Sequence, residues 1–147
     1  MVNLSAFTAY HARRAPDTAA LLYRGIETSY AGYLDADGSL NLADRKKDMA
    51  LSGGENIASS EVEPVLRELP QIADVAVIGL PDTRWGEKPV AVCVLAPGAT
   101  LDEGEMARHG RTRLAAFKVP KALVIRDGLP RNPSGKILKR ALREEYR

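Results

Sequence analysis

The sequence is short of the features that mark several protein classes. It has one cysteine, Cys93, in 147 residues. No intrachain disulfide can form, and a reducing compartment such as the cytoplasm is expected. Two histidines, His11 and His109, have no partners at metal-ligand spacing, so no metal site is expected. No apolar run approaches the ~20 residues of a membrane span. The opening Met-Val-Asn-Leu-Ser-Ala-Phe lacks the basic and then apolar regions of a secretory signal. Charge of one sign is also scarce: 21 Lys+Arg stand against 19 Asp+Glu, a net +2, which argues against a dedicated nucleic-acid binder. The local exception is the six basic residues from Arg131 to Arg147, which read as a solvated helix face.

What is present suits a folded chain. Hydrophobic residues make up 45% and charged residues 27%, outside the range of disordered sequences. Residues 4–14 have a thin helical pattern. Two hairpins follow, 19–23 with 26–30, then 32–34 with 39–43 around Asp35-Ala36-Asp37-Gly38, an Asp-Gly turn signal. Val62, Val65, Leu66 and Leu69 share one face of a helix over 60–69, with Ser60 and Glu63 spaced as a capping box. Residues 72–80 and 89–95 are β-branched apolar runs that predict buried strands, with Pro81–Gly86 as a loop. A helix over 102–116, a strand over 122–126 and a helix over 137–146 complete the order. That last helix is expected to turn Ile137, Leu138, Ala141 and Leu142 inward and Lys139, Arg140 and Arg143 outward. The fold class is α+β: a small mixed sheet flanked by helices, with a leading β-hairpin.

Two loops are too unusual to be simple connectors. In Asp44-Arg45-Lys46-Lys47-Asp48-Met49-Ala50-Leu51-Ser52-Gly53-Gly54-Glu55-Asn56-Ile57, a charged cluster runs into a glycine pair that can take φ > 0 and approach a ligand closely. The pair can equally be a tight turn. In Pro130-Arg131-Asn132-Pro133-Ser134-Gly135-Lys136, a proline-framed loop ends in a lysine at a helix mouth. Lys136 there is either a point charge for phosphate or carboxylate oxygens or a solvated lysine before a basic helix. It is not a Walker A loop, which needs Gly where Pro130 stands and Ser or Thr where Ile137 stands.

With Val75–Pro89 and Phe117–Lys121, these loops make four ordered motifs. They resemble the C-terminal domain of AMP-forming acyl-CoA synthetases, the adenylate-forming superfamily of luciferases and peptide adenylation domains. The resemblance runs from Gly32 to the end. It implies a domain that rotates between two half-reactions, adenylation of a carboxylic acid by ATP with Mg²⁺ and thioester formation with CoA, in the cytoplasm. By position, Lys136 matches the catalytic lysine of adenylation, Lys47 the hinge and Arg45 a nucleotide contact on AMP or ATP. Gly53, Gly54, Glu55 and Asn56 match the loop beside the CoA pantetheine. Trp85, Phe117 and Lys121 match positions that hold the CoA nucleotide in some members, and Val119 stands where a second basic residue is sometimes found. Trp85 can also be a loop aromatic covering a core edge. Ala58 and Ser59 depart from the family's usual aromatic-proline pair.

Residues 1–31 resemble the start of such an enzyme's large N-terminal domain. The chain therefore reads as that beginning, loosely packed, joined to a lid domain at 32–147, with the large catalytic domain missing. The implied partners are a large adenylation domain in trans and small-molecule substrates. Adenylation by the chain alone is not expected. The alternatives are a non-catalytic module that binds CoA or an adenylate, or an interaction fragment that docks on a separate large domain.

Overall fold

The computed structural model describes the backbone of residues 21–23, 26–28, 30–34 and 40–45, and the chain with its side chains from residue 48 to 147. The chain divides into two compact units, Met1–Lys47 and Asp48–Arg147. In the first, β1 (Leu21–Tyr23) pairs antiparallel with β2 (Ile26–Thr28), and β3 (Tyr30–Leu34) with β4 (Leu40–Arg45). These are the two hairpins the sequence predicts. The helix expected at 4–14 and the hinge residue Lys47 lie outside the described residues, as does the side chain of Arg45.

The second unit is built on a five-stranded sheet. Strand β5 (Ala50–Ser52) pairs with β6 (Glu55–Ile57), and β7 (Ile72–Asp82) forms a long antiparallel hairpin with β8 (Gly86–Leu95). Strand β5 meets β8 at Ser52 and Gly86, and β9 (Ala122–Ile125) runs parallel to β8, which makes the sheet mixed. Helices α1 (Ser59–Arg67), α2 (Glu103–Arg111) and α3 (Lys139–Glu145) complete the unit. Among the described residues no helix is long and apolar enough to cross a membrane.

The β7–β8 sequences are near-continuously apolar because both of their faces are buried. Side chains alternate across a strand. Val75 and Val77, opposite Cys93 and Ala91, enter one core with Val62 and Leu66 of α1 and Met106 of α2. Ala76 and Ile78, opposite Val92 and Val90, enter a second core closed by Leu142 of α3. Leu66 and Leu142 are both fully buried, so truncating either to alanine removes about 2–5 kcal/mol. Cys93 sits in the first core, where burial and then the charge of Asp74 push its thiol from 9.0 up to about 12.

Helix boundaries depart from the sequence-based expectations for identifiable reasons. Helix α1 begins at Ser59, with Ala58 as N-cap and no side-chain cap bond. The capping box does not form because Glu63 is used elsewhere: its carboxylate accepts the Val77 N–H at 2.9 Å. Helix α2 is capped as its acidic start suggests, Asp102 accepting the Glu105 N–H at 2.8 Å, but it ends at Arg111 rather than 116. Helix α3 starts two residues later than expected, because Ile137 forms a bridge with Arg131 and Leu138 is turned out, 42% exposed. Pro81 and Asp82 are strand, not loop, leaving a tight turn over 83–85. Gly110, helix-weakening by composition, admits Val119: a Cβ there would lie 3.2 Å from Val119 Cγ1.

Candidate functional site

The Lys136 loop is a closed, self-bonded turn. The Asn132 N–H donates to the Lys136 carbonyl at 2.9 Å, the Gly135 N–H to the Asn132 carbonyl at 2.9 Å, and the Leu138 N–H to the Pro130 carbonyl at 2.8 Å. Asn132 Oδ1 also accepts from the Lys136 N–H and the Ser134 hydroxyl, both at 2.8 Å. Gly135 takes φ +80°, as the turn requires. Arg131 fastens the loop outward, bonding the Gly135 carbonyl and pairing with Asp74. The Lys136 ammonium is left exposed at the tip. A preorganised backbone thus presents one uncommitted cation, the arrangement suited to an oxyanion.

A second group collects on the turns at the other end of the β7–β8 hairpin. The Gly53 N–H donates to the Trp85 carbonyl at 2.8 Å, and a Cβ at Gly53 would lie 3.1 Å from Trp85 Cε3. Gly53 and Gly54 both take positive φ, +60° and +86°, and nothing lies within 4 Å of a Cβ placed on Gly54. The pair is therefore a tight turn and also an open backbone surface beside an aromatic ring. Trp85 is 42% exposed, with the Arg84 guanidinium 4.7 Å from its ring centre. Glu55 and Asn56 continue this exposed edge on β6.

The segment leading into β9 joins the sheet nearer its middle: Lys121 donates its N–H to the Pro89 carbonyl at 2.8 Å, Pro89 lying opposite Gly79, and Ala122 pairs with Val90, opposite Ile78. Phe117 is exposed, with the Lys118 ammonium 5.7 Å from its ring centre. Val119 is buried in the first core.

Sheet register separates these groups. Asp74, the anchor of the Lys136 loop, pairs with Val94, whereas Asp82, next to the Trp85 turn, pairs with Gly86. Eight residue steps of β7 divide the two carboxylates, ~26 Å at the usual rise of ~3.3 Å per residue. Lys136 thus stands at one end of the sheet and Gly53, Gly54 and Trp85 at the other, with Lys121 between them. One ligand-sized cleft cannot hold both sets at once.

Reasoning from the sequence missed a set of supporting residues. Edge strand β7 is covered by α1: Glu63 takes the Val77 N–H, and Arg67 donates to the Val75 carbonyl at 3.3 Å. Such cover suppresses edge-to-edge pairing. Lys139 and Arg143, expected outward, are turned in. Lys139 lies 2.7 Å from Glu63 and bonds Ser59, and Arg143 donates to Asp48 at 3.2 Å. The signal in the sequence was Ser59, Glu63 and Leu66 at i, i+4 and i+7, a polar pair in line with a core residue. Among the described residues, no cluster of His, Cys, Asp and Glu could hold a metal ion.

A family model described as the AMP-binding enzyme C-terminal domain matches residues 61–136. The chain belongs to this family. Its relatives are whole enzymes of which it matches a part. It is 45% identical over 121 residues to the long-chain-fatty-acid–CoA ligase FadD13 of Mycobacterium tuberculosis, covering 82% of this chain and 24% of that one. It is 49% identical over 113 residues to a feruloyl-CoA synthase of Amycolatopsis, covering 77% and 23%. Among solved structures, o-succinylbenzoate CoA synthetase (MenE) from Bacillus subtilis, in complex with its acyl-adenylate intermediate, superposes with a TM-score of 0.73 at 40% identity, over 82% of this chain and 25% of that one. The chain spans about a quarter of the length of these relatives.

Proposed function

We propose that this domain is the lid of an AMP-forming acyl-CoA ligase and serves its two half-reactions with opposite ends of one sheet. The observation that carries the reading is the ~26 Å separation along β7 between the Lys136 loop and the Gly53–Trp85 turns. With the Lys136 end turned to the substrates, its ammonium bridges the incoming carboxylate and the α-phosphate of ATP, offsetting repulsion between two anions in a closed site. The carboxylate oxygen attacks phosphorus, pyrophosphate leaves, and the acyl-adenylate forms. With the other end turned in, the open backbone of Gly53–Gly54 flanks the pantetheine arm while Trp85, Phe117 and Lys121 hold the rest of CoA. The thiol sulfur then attacks the acyl carbon and AMP leaves. Lys47 supplies the pivot and Arg45 a contact to the nucleotide. Mg²⁺ enters with ATP rather than through residues of this domain.

The chain alone does not adenylate, because one positioned lysine cannot replace a nucleotide site. Its partner is a large adenylation domain, present in trans in the cytoplasm. ATP–pyrophosphate exchange with a panel of fatty and aryl acids tests this. The expected result is no exchange from the chain alone, and exchange on adding a lid-deleted large domain, abolished by Lys136→Ala. Exchange by the chain alone that vanishes in Lys136→Ala overturns the partner requirement. No gain with any large domain overturns the lid reading in favour of a non-catalytic binding module.

A further inference from the structure

The boundary between the two compact units falls between Lys47 and Asp48, and the residues just past it are fastened at once. The Asp48 carboxylate accepts from Arg143 of α3 at 3.2 Å, with the two side chains only 23% and 24% exposed. Ala50 is buried in the first core, and the Leu51 N–H donates to Glu87 of β8 at 2.9 Å. The tie from α3 is the first of these, directly at the boundary. Arg143 has no other carboxylate partner among the described residues. Glu144, its neighbour on α3, is paired with Arg140 at 2.8 Å. The Nη2 nitrogen of Arg143 is buried without a hydrogen-bond partner. A buried donor left unpaired costs stability, so the pose of Arg143 is not the one that best satisfies its own hydrogen bonds. Departures of this kind are expected where function sets the geometry.

We propose that Arg143 and Asp48 are positioning residues that lock the first residue past the pivot to the body of the lid, so that rotation is confined to the pivot and each end of the sheet arrives in register with the substrates. This rests on the reading of the domain as a ligase lid, and neither residue touches substrate. The lock lies level with Gly79. Arg143 lines a cleft with Gly79, Leu80 and Pro81, and the Ala50 Cα lies 3.2 Å from a Cβ placed on Gly79. Five steps of β7 separate Gly79 from Asp74, the anchor of the Lys136 loop, or ~16 Å. Three steps separate it from Asp82 beside the Trp85 turn, or ~10 Å. Play of ~5° at the lock therefore displaces the first end by ~1.4 Å and the second by ~0.9 Å over those lengths. Misplacement of ~1 Å at a reacting group costs up to ~10²-fold in rate. The Lys136 end lies farther away and carries a single reacting charge, so adenylation depends on the lock more than thioester formation does.

The test measures the two half-reactions separately, with the full chain added to a lid-deleted large domain. The chain carries residues on both sides of the pivot, so the pivot stays intact. Arg143→Met keeps the apolar stem of the side chain and removes the charge. It is expected to lower ATP–pyrophosphate exchange about tenfold or more, and transfer of a supplied acyl-adenylate to CoA by less than about threefold. In the chain alone it should speed amide hydrogen exchange at Met49 and Ala50. Asp48→Asn, which leaves α3 untouched, carries the same expectations and stands in should Arg143→Met fail to fold. The charge-swapped double variant, Asp48→Arg with Arg143→Asp, should return the ratio of the two rates toward the wild-type value. Leu66→Ala destabilises the same unit from its core without touching Asp48, and should lower both rates together. A ratio in Arg143→Met and Asp48→Asn equal to that of wild type or of Leu66→Ala overturns the lock while leaving the lid reading intact. Unchanged amide exchange at Met49 and Ala50 also overturns it. No exchange from the wild-type chain with any large domain overturns the lid reading itself, and the lock with it.

Discussion

The Glu63–Lys139 pair ties α3 to α1, and its removal has a calculable cost. Glu63 is 11% and Lys139 17% exposed at the side chain, with 2.7 Å between them, and Glu63 also holds the Val77 N–H. Lys139→Met leaves a nearly buried carboxylate with one neutral donor. Removing one partner of a fully buried pair costs ~3–5 kcal/mol. The residual exposure here reduces that to about 2–3 kcal/mol. For a unit the size of Asp48–Arg147, this corresponds to a fall in Tm of roughly 10–20 °C. Glu63→Gln is expected to cost less, because its amide oxygen can still accept from Val77 and the long Lys139 side chain can swing to water. The double variant should regain stability relative to Lys139→Met alone. The single tryptophan, Trp85, lies in this unit, so its fluorescence during urea unfolding reports the unit by itself. A Lys139→Met variant within ~0.5 kcal/mol of wild type, the usual range for exposed surface changes, would refute the pair's structural role.

Further outcomes are expected elsewhere in the domain. Gly53→Ala should lower stability more than Gly54→Ala and alter Trp85 emission, since both positions carry positive φ but only Gly53 lies against the indole. Each pays ~1–2 kcal/mol of left-handed strain, and a thermal melt followed by fluorescence separates the additional contact. Gly79→Ala should be severe, because its Cβ would lie 2.9 Å from the Ala50 Cβ; urea unfolding should show a loss of at least ~1–3 kcal/mol. Asn132→Ala should speed amide exchange at Lys136, which loses its acceptor, with little change in the β7–β8 amides. Stability should fall as pH rises above about 9, because the unfolded thiol of Cys93 ionises there while the folded one, raised to about 12, stays neutral. The unfolded state then binds fewer protons. Denaturation curves between pH 8 and 11 should show that slope reduced in Cys93→Ala.

Fold and site were legible in the sequence to different depths. Strands β7 and β8 were plain because apolar runs of this length, buried on both faces, need no partner information. Their two-sided burial is visible in the way Val75 and Ala76 part into separate cores. Helix ends were less legible because they are decided by tertiary competition. Glu63 leaves its capping role for the edge of β7, and Ile137 leaves α3 for a bridge with Arg131. The basic tail misled for a related reason. Charge pattern alone marks Lys139 and Arg143 as solvated, whereas each has a carboxylate waiting on a distant segment, Glu63 and Asp48. The motifs around Lys136 and Gly53–Gly54 were recognisable as loops, but their placement at opposite ends of one hairpin follows only from strand register.

The most direct test of the two-ended lid is a chimera in which residues 48–147 replace the corresponding last part of a full-length acyl-CoA ligase, with the two half-reactions measured separately. Lys136→Ala in that chimera is expected to abolish ATP–pyrophosphate exchange while leaving transfer of a supplied acyl-adenylate to CoA nearly intact. Gly54→Leu is expected to do the reverse, since its side chain would fill the open backbone surface at that turn. Both substitutions striking the same half-reaction, or each striking both equally, would contradict the assignment of the two ends to two separate steps.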